Sequence, residues 1–209
     1  WIEAGGALRY THQASGWVVN TIDTKPAGYF RSLTTGDADS DGHQDIYVGT
    51  DDDKIIYYGW TGWSWNNVPI GDTGFDSYWD YIRDLVIGDA DHSGGPKIYF
   101  VAGDRAIMSL EYHGFTGEWV SSIVHETWET AVANKLVLGD GNGDGQDELF
   151  EAASNNSVYC YEWNTTLQTW MRFEISMGPL PNTVMSVAVA EIDGEPDYKE
   201  IYAPCEDGH

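Results

Sequence analysis

The chain has 209 residues, with 34 Asp and Glu against 10 Lys and Arg, which gives a formal net charge of −24. This excess of acid argues against binding to nucleic acid, which needs clustered basic side chains, and against insertion at an anionic membrane surface. Acidic disordered chains are poor in aromatic residues, whereas this chain has 10 Trp and 13 Tyr. We therefore expect a folded, aromatic-rich protein whose crowded acidic side chains must be offset by cations or solvent.

An acidic marker recurs along the chain at nearly constant spacing. Short apolar segments end at Asp37, Asp89, Asp140 and Glu191, so the intervals between markers are 52, 51 and 51 residues. Each marker is followed by an acidic loop and by further short segments rich in β-branched and aromatic residues. Four such segments in a repeat of about 51 residues, separated by turn-forming residues, are typical of a β-propeller blade. The sequence predicts an all-β fold of β-propeller-type blades, each with four antiparallel strands.

The spacing also predicts how the chain divides. We expect a partial blade at 1–30, complete blades at 31–82, 83–133 and 134–184, and a partial blade at 185–209. Because residues 1–4 align with residues 149–152, the chain is expected to begin at the second strand of a blade. Two alternatives stay open: the first and last segments share one closing blade, or the chain is a fragment of a longer propeller. An overlap of one strand between the two ends favours the fragment.

The first acidic loop, residues 37–45, has carboxylates at positions 1, 3, 5 and 9, which are Asp37, Asp39, Asp41 and Asp45. Gly42 at position 6 allows a sharp turn, and His43 at position 7 could add its backbone carbonyl oxygen as a ligand. Hard oxygen ligands of this number suit Ca²⁺. Carboxylates packed so closely repel one another unless a cation, protons or water screen them. The loop therefore predicts a structural calcium site.

The third loop repeats the pattern with the candidate ligands Asp140, Asn142, Asp144, Gln146 and Glu148. It also fits the EF-hand expression, with Glu151 at position 12. We reject that interpretation because EF-hand loops lie between helices, and this loop lies between two strand-like segments. Acidic surface turns are the alternative for every loop, since Asp and Gly favour turn geometry. The ordered spacing in the first and third loops favours metal binding.

The second and fourth loops depart from the pattern. In the second loop the candidates Asp89, Asp91 and Ser93 hold positions 1, 3 and 5, but Lys97 occupies position 9. Its amine could occupy the place of the ion and pair with Asp89 and Asp91, so we expect no metal or only a weak site. The fourth loop is one residue longer, and its candidate ligands are Glu191, Asp193, Glu195 and Glu200. Binding in the fourth loop is left open.

The recurring pattern Gly-Asp-x-Asp/Asn-x-Asp-Gly-x-x-Asp/Glu-hydrophobic resembles FG-GAP/VCBS-type repeats. Such repeats occur in integrin-like propellers, in secreted microbial proteins and in the propellers of some polysaccharide lyases. The resemblance covers nearly the whole chain and is closest at residues 37–45 and 140–148. It departs at Lys97 and in the lengthened fourth loop, and the Phe-Gly…Gly-Ala-Pro element is not evident. The resemblance implies calcium loops that brace each blade, usually in an extracellular protein, and identifies no ligand.

Aromatic residues suggest both packing and ligand binding. Trp17, Trp119 and Trp170 recur at the place that Trp63 or Trp65 holds in its own repeat, which predicts packing between blades. A second group is less tied to the repeat and is a candidate carbohydrate-binding set, consisting of Trp60, Trp79 and Trp128. Loops that carry aromatic side chains on a rigid scaffold often bind ligands.

The sequence favours a non-catalytic function. The six His residues match no metal-protease signature, and no nucleophile elbow or phosphate-binding loop is present. We expect an extracellular, calcium-stabilised binding, adhesion or structural module whose partner is an extracellular protein or a glycan, with self-association as a further possibility. A carbohydrate-binding propeller, or the propeller part of a polysaccharide lyase or other glycan-degrading enzyme, is the alternative. An enzyme in its own right also stays open.

Overall fold

A computed structural model describes residues 1–3, 6–13, 15–25, 28–75, 81–104, 106–126, 132–176, 183–192 and 199–205. Every regular element in these ranges is a β-strand, and no helix there is long and apolar enough to cross a membrane. The strands form five antiparallel sheets in chain order. The predicted all-β fold of four-stranded antiparallel units is confirmed.

Each strand pairs with the next one along the chain, so every sheet is a simple meander. The first sheet contains β1 Ile2–Glu3, β2 Ala7–Gln13 and β3 Trp17–Thr24. The second contains β4 Phe30–Gly36, β5 Asp45–Thr50, β6 Lys54–Trp60 and β7 Trp65–Asp72. The third contains β8 Ile82–Gly88, β9 Lys97–Ala102, β10 Ala106–His113 and β11 Glu118–Glu126. The fourth contains β12 Ala133–Gly139, β13 Glu148–Ala153, β14 Val158–Asn164 and β15 Thr169–Glu174, and the fifth contains β16 Ala188–Ala190 and β17 Glu200–Tyr202.

Burial falls from the inner strands to the outer strand of each complete sheet. Every residue of β9 and β13 is buried, whereas the last strands, β7, β11 and β15, are mostly exposed. A strand buried on both faces lies between two neighbouring layers. One hydrophobic cluster accordingly lies between each pair of consecutive sheets. The sheets therefore pack face to face, each on the next.

A Trp near the start of each last strand packs edge-on against a Tyr of the preceding sheet. Trp119 meets Tyr47 with ring centroids 6.1 Å apart, and Trp170 meets Tyr99 at 5.8 Å. In the second sheet this Trp is Trp65, at the start of β7, where it meets Tyr10 at 6.1 Å. The predicted packing role is confirmed for Trp119 and Trp170. Trp17 and Trp63 differ, because their side chains are 73% and 92% exposed.

A glycine precedes each of the first three acidic markers, where the neighbouring sheet approaches closely. A Cβ added at Gly36 would lie 2.9 Å from Ile87 Cδ1, and one at Gly139 would lie 2.9 Å from Val189 Cβ. At Gly88 the nearest atom would be Leu138 Cδ1 at 2.5 Å. The first strands of consecutive sheets therefore approach too closely for any side chain at this point. The recurring Gly-Asp pair thus combines a packing residue with the first residue of the loop.

Candidate metal centres

The first three acidic loops share one backbone conformation, set by the Asp at position 1. Asp37 accepts the backbone N–H groups of positions 5 and 6, with N···O distances of 2.9 and 3.0 Å. Asp89 accepts the same two N–H groups at 2.9 and 2.9 Å, and Asp140 accepts them at 3.0 and 3.0 Å. The Asp therefore closes each loop in the same way. This shared template explains why Asp is required at the marker position.

A glycine at position 6 completes the shared loop. Gly42, Gly94 and Gly145 have φ angles of +89°, +91° and +86°. Only glycine adopts this left-handed conformation without steric cost. The turn directs the side chains of positions 1, 3 and 5 to one side of the loop, where their oxygen atoms converge. The sequence prediction for position 6 is confirmed.

In the first loop the oxygen atoms of Asp37, Asp39 and Asp41 all lie within 4.8 Å of one another. Asp45 is buried at the base of the loop, and its Oδ2 atom has no hydrogen-bond partner. Burial, together with the nearby Asp39 and Asp41 carboxylates, raises the pKa of Asp45 to about 6. Burial also raises the pKa of Asp39. In the part of the chain that the structure describes, no Lys or Arg forms an ion pair with this cluster. His43 is exposed, and its backbone N–H donates to Asp41 Oδ1 at 2.8 Å.

In the third loop the converging oxygen atoms belong to Asp140, Asp144 and Glu148, again within 4.8 Å. Glu148 is buried and is held by the Gly141 N–H at 2.9 Å and the Asn142 side-chain amide at 3.0 Å. Burial raises the pKa of Glu148, and the Asp144 and Asp140 carboxylates add to this shift.

Two further candidates in the third loop contribute differently. The Asn142 Oδ1 atom accepts the Asp144 N–H at 2.9 Å, and the Gln146 N–H donates to Asp144 Oδ1 at 2.9 Å. The structure therefore places Asn142 inside the ligand cluster as a link between Glu148 and Asp144. Gln146 is exposed, as His43 is in the first loop.

In the second loop a lysine supplies the positive charge. The Lys97 ammonium group forms an ion pair with Asp91 and a second one with Glu111 Oε2 at 3.0 Å. Lys97 is 91% buried, which opposes its charged form, but the Asp91 and Glu111 carboxylates outweigh burial and raise the pKa of Lys97. Asp89 binds backbone N–H groups, and Ser93 donates its own N–H to Asp89. The expected amine–carboxylate pairing holds for Asp91, but its second partner is Glu111 on β10.

The fourth loop lies only partly within the described residues. Asp193 and Glu195 fall outside them. Glu200 accepts the Ile192 N–H at 3.0 Å, as Glu148 accepts the N–H of the corresponding residue, Gly141, in the third loop. Glu200 therefore makes the same hydrogen bond as Glu148, although the fourth loop is one residue longer. Glu191 is exposed at the start of the loop.

The candidate ligand-binding aromatics are placed only in part. Trp60 is 53% exposed at the end of β6 and contacts Trp65, with ring centroids 5.2 Å apart. Trp79 and Trp128 lie outside the described residues. Trp60 is therefore both a packing partner of Trp65 and an accessible aromatic surface.

The donors of the first and third loops fit a calcium ion. Both clusters contain only oxygen donors, and Ca²⁺–oxygen distances of about 2.3–2.6 Å place ligands on opposite sides of the ion about 5 Å apart. In each cluster the three carboxylate oxygens lie close enough together for a single ion to contact them all. The unpartnered Oδ2 of Asp45 and the raised pKa of Glu148 indicate negative charge that a divalent cation would offset.

Sequence reasoning missed Glu111 and the role of the marker glycines. Glu111 lies on β10, outside any acidic loop, and only the pairing of β10 with β9 brings it to Lys97. The recurring Gly-Asp pair was visible in the sequence, but only its Asp was given a role. The first feature arises from strand pairing within the third sheet, and the second arises from contacts between consecutive sheets.

Comparison with known proteins supports the fold. No protein-family model matches the chain, and no curated protein sequence matches it. A crystal structure of BBS1N in complex with ARL6DN, soaked with lead, is similar with a TM-score of 0.55 and 14% sequence identity. The match covers 90% of this chain and 50% of that chain, so this chain spans about half the length of its structural neighbour. At this identity the likeness concerns the fold alone, and it identifies the stacked sheets as β-propeller-type blades.

Proposed function

We propose that the chain is a non-catalytic, calcium-stabilised module of the FG-GAP/VCBS type that serves extracellular binding, adhesion or structure. The proposal depends on position 9 of the loops, which is a lysine in the second loop and a carboxylate in the first and third. Where position 9 is Lys97, the ammonium group neutralises the loop from within. Where position 9 is Asp45 or Glu148, the same backbone template holds three or more carboxylates, and no Lys or Arg among the described residues pairs with them.

The nature of the missing cation follows from the donors. Every candidate side chain in the first and third loops offers oxygen, which favours a hard ion such as Ca²⁺ over a transition metal. Loops with this donor set and no helical flanks suit the weak affinities of extracellular modules, about 10⁻⁴–10⁻³ M. An ion bound between the first and second strands of a sheet would fix the loop that joins them.

Calcium removal tests the proposal. At a concentration 100-fold above Kd, one site stabilises the folded state by about 2.7 kcal/mol. For a domain of this size each kcal/mol shifts the melting temperature by about 2–4 °C, so EDTA should lower it by about 5–11 °C per occupied site. The double variant Asp41→Asn, Asp144→Asn should lose most of this sensitivity, because each substitution removes a charged ligand.

A matched control lies in the same loop. Asp147 is exposed at position 8 of the third loop, and its side chain is not a candidate ligand. The Asp147→Asn variant makes the same change of charge as Asp144→Asn and should keep the full response to EDTA. Unchanged melting of the wild-type protein in EDTA, or equal effects of the two single variants, would contradict the calcium proposal.

A carbohydrate-binding propeller is the second candidate, supported by the exposed indole rings of Trp60 and Trp63 on one hairpin. Exposed Trp side chains stack on sugar rings. A glycan array comparing the wild-type protein with Trp60→Ala and Trp63→Ala tests this function. Binding that the two substitutions abolish would support a lectin role, whereas an array without signal would leave the protein-binding role.

A further inference from the structure

A cavity of about 580 Å³ lies between the third and fourth sheets, beside the second acidic loop. Glu111 and Ser122 line it from β10 and β11, and Trp163 and Trp170 line it from β14 and β15. The Asp91–Lys97 pair lies at its end. The volume is within the range of about 300–1,000 Å³ that is usual for ligand sites. We call this cavity the inter-sheet groove.

The charge of the inter-sheet groove is negative. Its single lysine, Lys97, is already paired with Asp91 and Glu111, so its positive charge is more than offset. Glu111 is 42% exposed and faces solvent as well as Lys97. A neighbouring cavity of about 130 Å³ shares Trp163 and is lined by Glu162 and by Asp144 and Glu148 of the third acidic loop, so it belongs to the candidate metal centre. Trp163 therefore lines two adjoining cavities that both carry carboxylates.

The indole rings and the carboxylates that line the groove together favour a cationic ligand. The face of an indole ring attracts ammonium and guanidinium groups, and a nearby carboxylate can accept a charge-assisted hydrogen bond from them. An anionic ligand would be repelled. A neutral sugar can donate hydroxyl hydrogen bonds to the carboxylates but leaves their charge uncompensated, whereas a cation offsets it. The net charge of −24 also raises the local concentration of cationic partners and speeds their association.

We propose that the inter-sheet groove binds a Lys or Arg side chain presented by a basic peptide segment of a partner protein. The inference rests on the proposed binding function and names the chemistry of the partner. Trp163 provides the aromatic surface for the cationic group, and Glu111 accepts its hydrogen bond.

The test is a titration of the full chain, in calcium and 50 mM NaCl, with a fluorescently labelled octapeptide of alternating Arg and Ser. Glu111→Gln should weaken binding by about tenfold, because it removes one charged hydrogen-bond acceptor while keeping the side-chain volume. Glu118→Gln is the matched control. It lies on the same hairpin, is exposed and makes the same change of charge, but it does not line the groove, so its affinity should stay within about twofold.

Because Glu111→Gln also alters the ion pair with Lys97, a second pair of variants tests the groove without changing that ion pair. Trp163→Leu should weaken peptide binding by about fivefold, whereas Trp63→Leu, which removes an exposed indole outside the groove, should leave binding unchanged. Melting curves establish that each variant is folded. Equal losses for Glu111→Gln and Glu118→Gln would show general attraction to an acidic surface and overturn the proposal. Binding of a neutral oligosaccharide with no binding of the peptide would also overturn it.

The result is separable from the calcium proposal. If EDTA leaves the melting temperature unchanged but Glu111→Gln and Glu118→Gln still differ in peptide affinity, only the calcium role fails. If EDTA lowers the melting temperature but the peptide does not distinguish these variants, only the groove assignment fails. Free arginine amide in place of the peptide distinguishes a small cationic ligand, which would bind as tightly as the octapeptide, from the proposed peptide segment, which would bind more tightly.

Discussion

Gly139 lies at the end of β12, where the fourth sheet meets the fifth, and its substitution should be costly. A Cβ added at Gly139 would lie 2.9 Å from Val189 Cβ, 3.0 Å from Cγ1 and 3.4 Å from Cγ2. Favourable contacts between carbon atoms lie at about 3.5–4.0 Å, so the overlap is about 0.5–1 Å. Val189 is β-branched with few rotamers, and β16 is paired with β17, so relief requires the strand itself to move.

The expected cost follows from that overlap. Overpacking that forces a backbone shift costs about 1–3 kcal/mol. At about 2–4 °C for each kcal/mol, Gly139→Ala should lower the melting temperature by about 2–12 °C. Gly88→Ala should cost less, although its nearest contact is shorter, because that contact is the terminal Cδ1 of Leu138, which can rotate away.

Gly95 is a control position, because its substitution by Ala should raise stability rather than lower it. It lies in the second loop, a Cβ there would meet nothing within 4 Å, and its φ angle is not positive. Gly95→Ala should therefore stabilise the protein by about 0.4–1 kcal/mol through the lower entropy of the unfolded chain. Thermal and urea unfolding of the three variants measure the effects. Equal stability of Gly139→Ala and Gly95→Ala would refute the close approach of the first strands.

Three further predictions concern the loops and the aromatic contacts. Lys97→Asp should create one additional calcium site in the second loop, measured as a higher stoichiometry by calorimetry, whereas Lys97→Met should not. Asp45→Asn should raise the melting temperature in EDTA at pH 7, because it removes a buried carboxylate, and should reduce the gain on adding calcium. Trp170→Ala should destabilise by up to the ~3–5 kcal/mol typical of a buried Trp, whereas Trp63→Ala should change stability by less than about 0.5 kcal/mol.

The strands and loops could be predicted because they depend on local signals. β-Branched and aromatic segments between turn residues specify a strand wherever they occur, and alternate Asp residues followed by Gly specify the loop. The structure moves one of these boundaries. The last strand of the second sheet begins at Trp65, and Trp63 lies in the turn before it, because Trp60 pairs with Trp65 across the hairpin.

Contacts between sheets could not be predicted, since they join residues about 50 positions apart. Nothing local in the sequence indicates that Gly36 must lack a side chain, because the obstruction is Ile87 of the next sheet. Asp84 is a similar case. Its carboxylate accepts the Lys135 ammonium group at 2.7 Å and the Leu136 N–H at 2.9 Å, which ties β8 to β12. Nothing in the sequence distinguishes Asp84 from the other acidic residues.

The distribution of the basic residues connects the two proposals. Of the 10 Lys and Arg in the chain, seven form ion pairs with acidic residues within the described ranges: Arg9, Lys25, Lys54, Arg83, Lys97, Lys135 and Arg172. A further one, Arg31, lies over the ring of Tyr81 at 4.8 Å. Most of the basic side chains are therefore already paired within the protein. Under the two proposals, the crowded and buried charge at Asp45 and Glu148 is offset by calcium ions from solution, and the exposed acid beside Trp163 by the basic groups of a partner.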